Sequence, residues 1–198
     1  MAVLLVAASL ALATPSAWAA PPPAALAPPD AFAELLLAAI GYARPARRFA
    51  GGVKLLALHS GGLSSRSLAN DLAAAVRTRH DALRPGTGQA TPRLFPGPDA
   101  LRALIAEGGY NCVLLSTDLS TGQHEQIQQV TRELKVLSVA VEADAVRGGV
   151  SLGITLEERR LRLYVNRRAA QEEGVTFHLA LLRHATLTGE EPKGLGGS

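Results

Sequence analysis

The stretch Val136–Ala170, VLSVAVEADAVRGGVSLGITLEERRLRLYVNRRAA, decides the fold. Val150, Leu152 and Ile154 alternate with Ser151, Gly153 and Thr155. Leu161, Leu163 and Val165 alternate with Arg160, Arg162 and Tyr164. A period of two marks strands with one apolar face. Between the runs, Glu157-Glu158-Arg159-Arg160 reads as a hydrated turn, which predicts a β-hairpin with a longer loop. Gly148-Gly149 reads as the turn entering the hairpin, and the residues before it as a loop after a strand at Val136–Val139. Asn166 ends the second hairpin strand. Its side-chain amide can accept from an orphan N–H, so it predicts the cap of a following helix.

Upstream, apolar runs and helical periods take turns. Phe32, Leu35, Leu36, Ala39 and Ile40 fall on one face of a helix to about Ala43, with Asp30 as its expected N-cap. Val53–Leu58, interrupted only by Lys54, suits a buried parallel strand. Ser64 is the expected cap of a helix running to His80. A short strand at Thr91–Phe95 precedes a helix that starts at Gly97-Pro98-Asp99 and ends at Gly108-Gly109. Tyr110–Leu115 is the most apolar strand. Ser116–Ser120 then leads into a helix through Ile127, Val130 and Leu134. Strands and helices alternating at this spacing predict an α/β fold: a mostly parallel central sheet flanked by helices on both faces, with the C-terminal antiparallel hairpin added at one edge. Gly174 and Thr176 interrupt a final helical region that resumes at Phe177, and residues 188–198 read as a tail.

The chain has 198 residues, enough for one domain plus a leader. Residues 1–29 carry no charged side chain. Val3–Ala13 has the length of a signal-peptide core and is too short to span a bilayer, and Ala17-Trp18-Ala19 is a cleavage site of the A-x-A kind. This predicts a signal peptide over 1–19, export from the cytoplasm, and a Pro/Ala-rich linker over 20–29. It leaves one domain over 30–187 with no membrane span in the mature chain. A net charge of +3, evenly spread, gives no argument for nucleic acid. Cys112 is the one cysteine, so no disulfide can form within the chain. It reads as a buried thiol on a central strand, with an intermolecular disulfide as the alternative.

The loop His59-Ser60-Gly61-Gly62-Leu63-Ser64-Ser65 follows the first strand of the sheet, where open α/β sheets bind ligands, and Ser116 would line the same rim. His59, Ser60, Gly61, Gly62, Ser64 and Ser116 are therefore the candidate ligand residues. The competing reading is an ordinary strand-to-helix turn. The loop matches neither the phosphate-binding nor the dinucleotide-binding glycine pattern. Ser60 lacks the Gly-x-Ser-x-Gly elbow of a hydrolase nucleophile. Adjacent residues on a strand face opposite ways, so His59 is not placed to serve Ser60 as a base. His124-Glu125 has no second His four residues on, and His178 and His184 are expected on different faces of a helix. No catalytic set, metal site or cofactor is expected. Arg160, Arg162, Arg167 and Arg168, with Arg159, form a basic cluster. It reads either as a solvated edge that blocks strand-to-strand aggregation or as a protein contact surface.

Gly148-Gly149 before an apolar residue, a hairpin of this length, Val165-Asn166, Ala169-Ala170, Gly174 and Leu181-Leu182 together resemble the C-terminal half of the YfiR family. The opening helix and the basic, Pro-containing bend Arg44-Pro45-Ala46-Arg47-Arg48 extend the resemblance from Phe32 to about Ala185. Arg167 departs from the family, which usually has an apolar residue after the Asn. Members often carry paired cysteines, whereas this chain has Cys112 alone. The resemblance implies a small, non-enzymatic periplasmic protein of Gram-negative bacteria. Such a protein binds the periplasmic region of an inner-membrane signalling protein, typically a diguanylate cyclase, and related domains are fused to sensor kinases. A homodimer is left open. The alternative is a periplasmic receptor for a small ligand, using the loop after the first strand.

Overall fold

A computed structural model describes residues 26–189. The expected signal peptide, the linker before Leu26 and the tail beyond Gly189 lie outside the described residues. In chain order the elements are α1 (Pro29–Gly41), β1 (Ala43–Arg44), a 3₁₀ turn (Ala46–Phe49), β2 (Lys54–His59), α2 (Leu63–Leu83) and β3 (Gln89–Leu94). There follow α3 (Pro98–Gly108), β4 (Cys112–Leu115), α4 (Thr121–Leu134), β5 (Leu137–Ala140) and α5 (Ala143–Arg147). The C-terminal part holds β6 (Leu152–Glu157), β7 (Arg160–Asn166), α6 (Arg167–Glu172), β8 (Thr176–Phe177), α7 (Leu179–Leu182) and β9 (Thr186–Thr188).

The strand interiors are apolar on both faces because both faces are covered. Every residue of β4 and β5, and all of β2 after Lys54, is buried. Alternation divides them between two cores. Leu55, Ala57, Cys112, Leu114, Leu137 and Val139 pack in the core that contains Phe32 and Leu36 of α1 and Leu72 and Val76 of α2. Leu56, Leu58, Val113, Leu115 and Ala140 pack in the core that contains Leu101 and Ile105 of α3 and Ile127 and Val130 of α4.

The main sheet runs β3-β2-β4-β5-β6-β7-β9. From β3 through β6 every neighbouring pair is parallel. β6 and β7 form the expected antiparallel hairpin, with Leu152 opposite Val165 and Ile154 opposite Leu163. β9 lies outside β7 and parallel to it, so the hairpin's outer strand is itself covered. A two-stranded pair, β1 with β8, sits apart from the main sheet.

Local chemistry shifts several boundaries. Asp30 is not the cap of α1: the helix begins at Pro29, which suits a first helical position because its missing N–H has no partner there, and Asp30 sits in the first turn. Ser64 is not the cap of α2: Gly62 is the N-cap residue and Ser64 is exposed in the first turn. The expected loop before Gly148 is the short helix α5. Phe177 belongs to β8 rather than to a helix, His178 is the N-cap of α7, and His184 lies beyond that helix. Cys112 is fully buried, and burial pushes its thiol pKa upward, so the thiol is not presented to a second chain.

The hairpin turn is also tighter than expected. Glu157 pairs with Arg160, which leaves the two-residue loop Glu158-Arg159 with both φ angles positive, at 48° and 63°. That backbone matches the twist of paired strands but costs a side-chain-bearing residue, and Asn-Gly is the pair that fits it best. The double substitution Glu158→Asn/Arg159→Gly is expected to raise stability by about 1 kcal/mol. Urea denaturation checks this; a lowered midpoint would show that the two charged side chains stabilise the turn.

Candidate functional site

Because β2 lies between β3 and β4, the chain leaves it in one direction and returns on the other side. The carboxyl ends of β2 and β4 flank this reversal, the place where open α/β sheets form a crevice. The loop after β2 and the loop after β4 meet there. Ser60 Oγ donates to Asp118 Oδ2 at 2.6 Å, and Ser65 Oγ lies 3.4 Å from Ser60 Oγ while donating to the Gly62 carbonyl at 3.1 Å. A Cβ on Gly62 would fall 2.8 Å from Asp118 Oδ2, so a larger residue would displace the carboxylate from this position. Burial raises the Asp118 carboxyl pKa, but the hydrogen bond from Ser60 and the nearby Ser65 hydroxyl outweigh it and hold the group below the usual carboxylate range. The carboxylate therefore lies beside the start of α2, where a ligand anion would otherwise be favoured.

The structure thus gathers His59, Ser60, Gly61, Gly62 and Ser116 at one end of the sheet. Ser64 adds no hydrogen bond to the cluster, and Asp118 is the member that the sequence reading missed. His59 and Ser116 are buried, and His59 Nδ1 and Ser116 Oγ have no hydrogen-bond partner. Burial lowers the His59 pKa, Arg66 lowers it further and Asp118 opposes them. Ser60 is bonded to a carboxylate and not to the imidazole, so these residues do not make an activated nucleophile. Glu142, just past β5, is raised by burial and by the charges of Asp144 and Asp118, which marks this rim as acidic.

The arginines do not form one cluster. Arg160 and Arg162 are exposed at the start of β7, while Arg167 and Arg168 open α6 at its far end. At about 3.3 Å per strand residue the two pairs are on the order of 15 Å apart.

The asparagine and alanine residues quoted for the family resemblance form the start of a short helix that leads to a different feature, a buried carboxylate. Asn166 Oδ1 accepts from the Ala169 N–H at 3.0 Å and its Nδ2 donates to the Val146 carbonyl at 3.0 Å, so it caps α6 and ties it to α5. Ala169 and Ala170 are buried and small, which brings α6 close to the sheet. The residue delivered at the end of α6 is Glu173, with no solvent exposure. Thr131 Oγ1 donates to its Oε1 at 2.7 Å, and the Ser138 N–H at 2.8 Å and Ser151 Oγ donate to its Oε2. Arg48 donates to the Glu173 carbonyl at 2.7 Å.

Residues 95–186 match the family described as YfiR/HmsC-like, in agreement with the resemblance read from the C-terminal residues. No curated protein matches the chain. Among solved structures, an ABC domain from Streptococcus pneumonia in complex with L-Trp aligns with a TM-score of 0.59 and 13% identity, covering 81% of this chain and 60% of that one. A conserved domain protein from Vibrio cholerae aligns at 0.56 and 15%, with the same coverages of 81% and 60%. A ligand-free, open substrate-binding protein with adhesive properties from Clostridium difficile aligns at 0.52 and 11%, covering 73% and 57%. This chain thus spans 60% or less of the length of each, and what it shares with them at these identities is the fold.

The matched span contains Glu173 and its three side-on partners, which makes that carboxylate the feature to perturb. Burial raises the Glu173 pKa against the lowering effect of Ser138, Ser151 and Thr131. A raised folded value means that its contribution is complete below the unfolded value, near about 4.3, and is lost as pH climbs through the folded value. Glu173→Ala is expected to cost about 3 kcal/mol by leaving buried donors unpaired. Glu173→Gln keeps the shape but cannot titrate, so its deficit relative to wild type should be larger at about pH 5 than at about pH 7.5. Denaturant titrations at both pH values check this, and a deficit that grows toward neutral pH would contradict it.

Proposed function

We propose that this YfiR-like chain is a non-enzymatic regulator that works in the periplasm by binding the periplasmic region of an inner-membrane signalling protein of the diguanylate cyclase or sensor kinase type. The observation that carries the reading is the YfiR/HmsC-like match over residues 95–186. The surface in keeping with it is the hairpin: Arg160 and Arg162 are exposed on β7 beside each other on one face, and arginine pairs well with carboxylates across protein interfaces. Among the described residues no helix is long and apolar enough to cross a membrane. It regulates by binding one state of its partner more tightly than the other, and a preference of about 1–3 kcal/mol gives a useful switch.

A second reading, a receptor for a small ligand at the crevice between β2 and β4, is favoured by the unpartnered His59 Nδ1 and Ser116 Oγ and by a fold shared with a substrate-binding protein and with a domain in complex with L-Trp. With Asp118 and Glu142 on the rim, that ligand would be neutral or cationic. Ser60→Ala and Asp118→Asn should abolish any thermal shift it causes.

The partner reading is tested by cross-linking the tagged full chain in its own cells and identifying the captured membrane protein. The expected product has a periplasmic region joined to a cyclase or kinase domain. With that region purified, Arg160→Glu/Arg162→Glu should weaken binding about tenfold or more, while Arg79→Glu on α2 should not. Capture of no such protein, or equal loss in both variants, would count against the hairpin as the contact surface.

A further inference from the structure

We propose that the open cavity bounded by α4, α5, α6 and the end of β7 is a binding site for a small oxyanion, a phosphate or a dicarboxylate. The cavity measures about 270 Å³ and is lined by three arginines, Arg132, Arg147 and Arg168, against a single carboxylate, Glu172. This inference does not depend on the partner reading, because none of these residues belongs to the hairpin surface.

Glu172 cannot satisfy the three guanidinium groups. It lies 3.0 Å from Arg132 Nε through Oε2 and 3.0 Å from Arg168 Nε through Oε1, so one carboxylate is divided between two cations. The Arg132 Nε is buried and, despite that short distance, its N–H makes no hydrogen bond. The other contacts of Arg132 are long, 3.4 Å from Nη2 to the Gly149 carbonyl and 3.5 Å to Gln128 Oε1. Arg147 pairs with Asp144, an exposed residue that does not line the cavity, and its guanidinium stands 5.9 Å from the Tyr164 ring centroid. With Asp144 counted beside Glu172, the three guanidinium groups meet two carboxylates, which leaves one positive charge uncompensated at the cavity. Guanidinium groups present several N–H donors in a fixed fork, the geometry that carboxylates and phosphates accept.

The backbone is shaped for this arrangement. Gly149 has φ of +115°, and a Cβ there would come within 2.6 Å of Gln128 Oε1 and 2.9 Å of Arg132 Nη2. The positive φ favours glycine, and a side chain there would have to displace the ends of Gln128 and Arg132. The volume lies just below that of pockets for drug-sized ligands, which selects a phosphate, a small phosphomonoester or a short dicarboxylate over a dinucleotide. Glu172 then acts as a built-in competitor: the incoming anion takes over guanidinium donors that Glu172 now holds.

The competitor makes the test directional. Calorimetric titration of the full chain with inorganic phosphate and, separately, with succinate should give saturable binding of at least one at low salt. Glu172→Gln should tighten it about tenfold, and Arg168→Gln and Arg147→Gln, both on exposed side chains, should each weaken it about tenfold. Arg132→Gln should abolish it, with circular dichroism showing whether the fold survives. Arg160→Gln should change nothing. Phosphate binding without succinate binding assigns a phosphorylated ligand, and the reverse assigns a dicarboxylate. Absence of saturable binding by either anion, or affinity unaltered by Glu172→Gln and Arg168→Gln, would overturn the proposal. So would loss of partner capture in these variants without anion binding, since it would make the arginines a protein contact.

Discussion

A carboxylate removed from water has to be met by donors on every side, and Glu173 is such a group. Its two oxygens draw a hydroxyl from α4, a backbone N–H from β5 and a hydroxyl from the residue before β6, while its own carbonyl takes Arg48 from the segment before β2. Ser151 closes the group by donating its N–H to Ser138 Oγ at 3.0 Å. Burial of this group without these partners would cost several kcal/mol, so they tie the five segments together. The helix that carries Glu173 there is built from residues quoted for the family resemblance. Asn166 starts α6, Ala169 and Ala170 let it approach the sheet, and Gly174, with φ of +72°, turns the chain away once Glu173 is in place.

The two ends of the sheet differ in how far they satisfy themselves. At the crevice the protein supplies its own anion, Asp118, held by Ser60. At the cavity beside α6 it supplies more cations than anions. The same helix, α6, has Glu173 at its inner end and Arg168 and Glu172 on its outer side. An event at the cavity is therefore separated from the buried network by less than two helical turns. That adjacency is a short physical route between the arginine-lined surface and the packing of β5 and β6.

How much of this was legible in the sequence depended on the range of the interaction. The unbroken apolar runs at Leu55–Leu58 and Val113–Leu115 identified buried parallel strands because no one-sided strand needs them. Alternation at Leu152–Ile154 and Leu161–Val165 gave the hairpin, and Asn166 gave its cap, since each signal is local. Helix α5, five residues long, is too short to show a period. The turn at Glu158-Arg159 was read as longer because neither residue favours a positive φ. Asp118 and Glu173 were invisible for a different reason. Ser60 and Asp118 are 58 residues apart and Thr131 and Glu173 are 42 apart, so only the folded sheet brings their partners together.

The dependence of the C-terminal half on its buried carboxylate is tested most directly by amide hydrogen exchange at Ser138, whose N–H points at Glu173 Oε2. If the network holds β5, β6 and α6 together, this amide exchanges through global unfolding in the wild type, and Glu173→Ala speeds it far more than the amides of β2. Exchange at Ser138 as fast as in the surface loops of the wild type, or an equal change at β2 and β5 in the variant, would contradict the account.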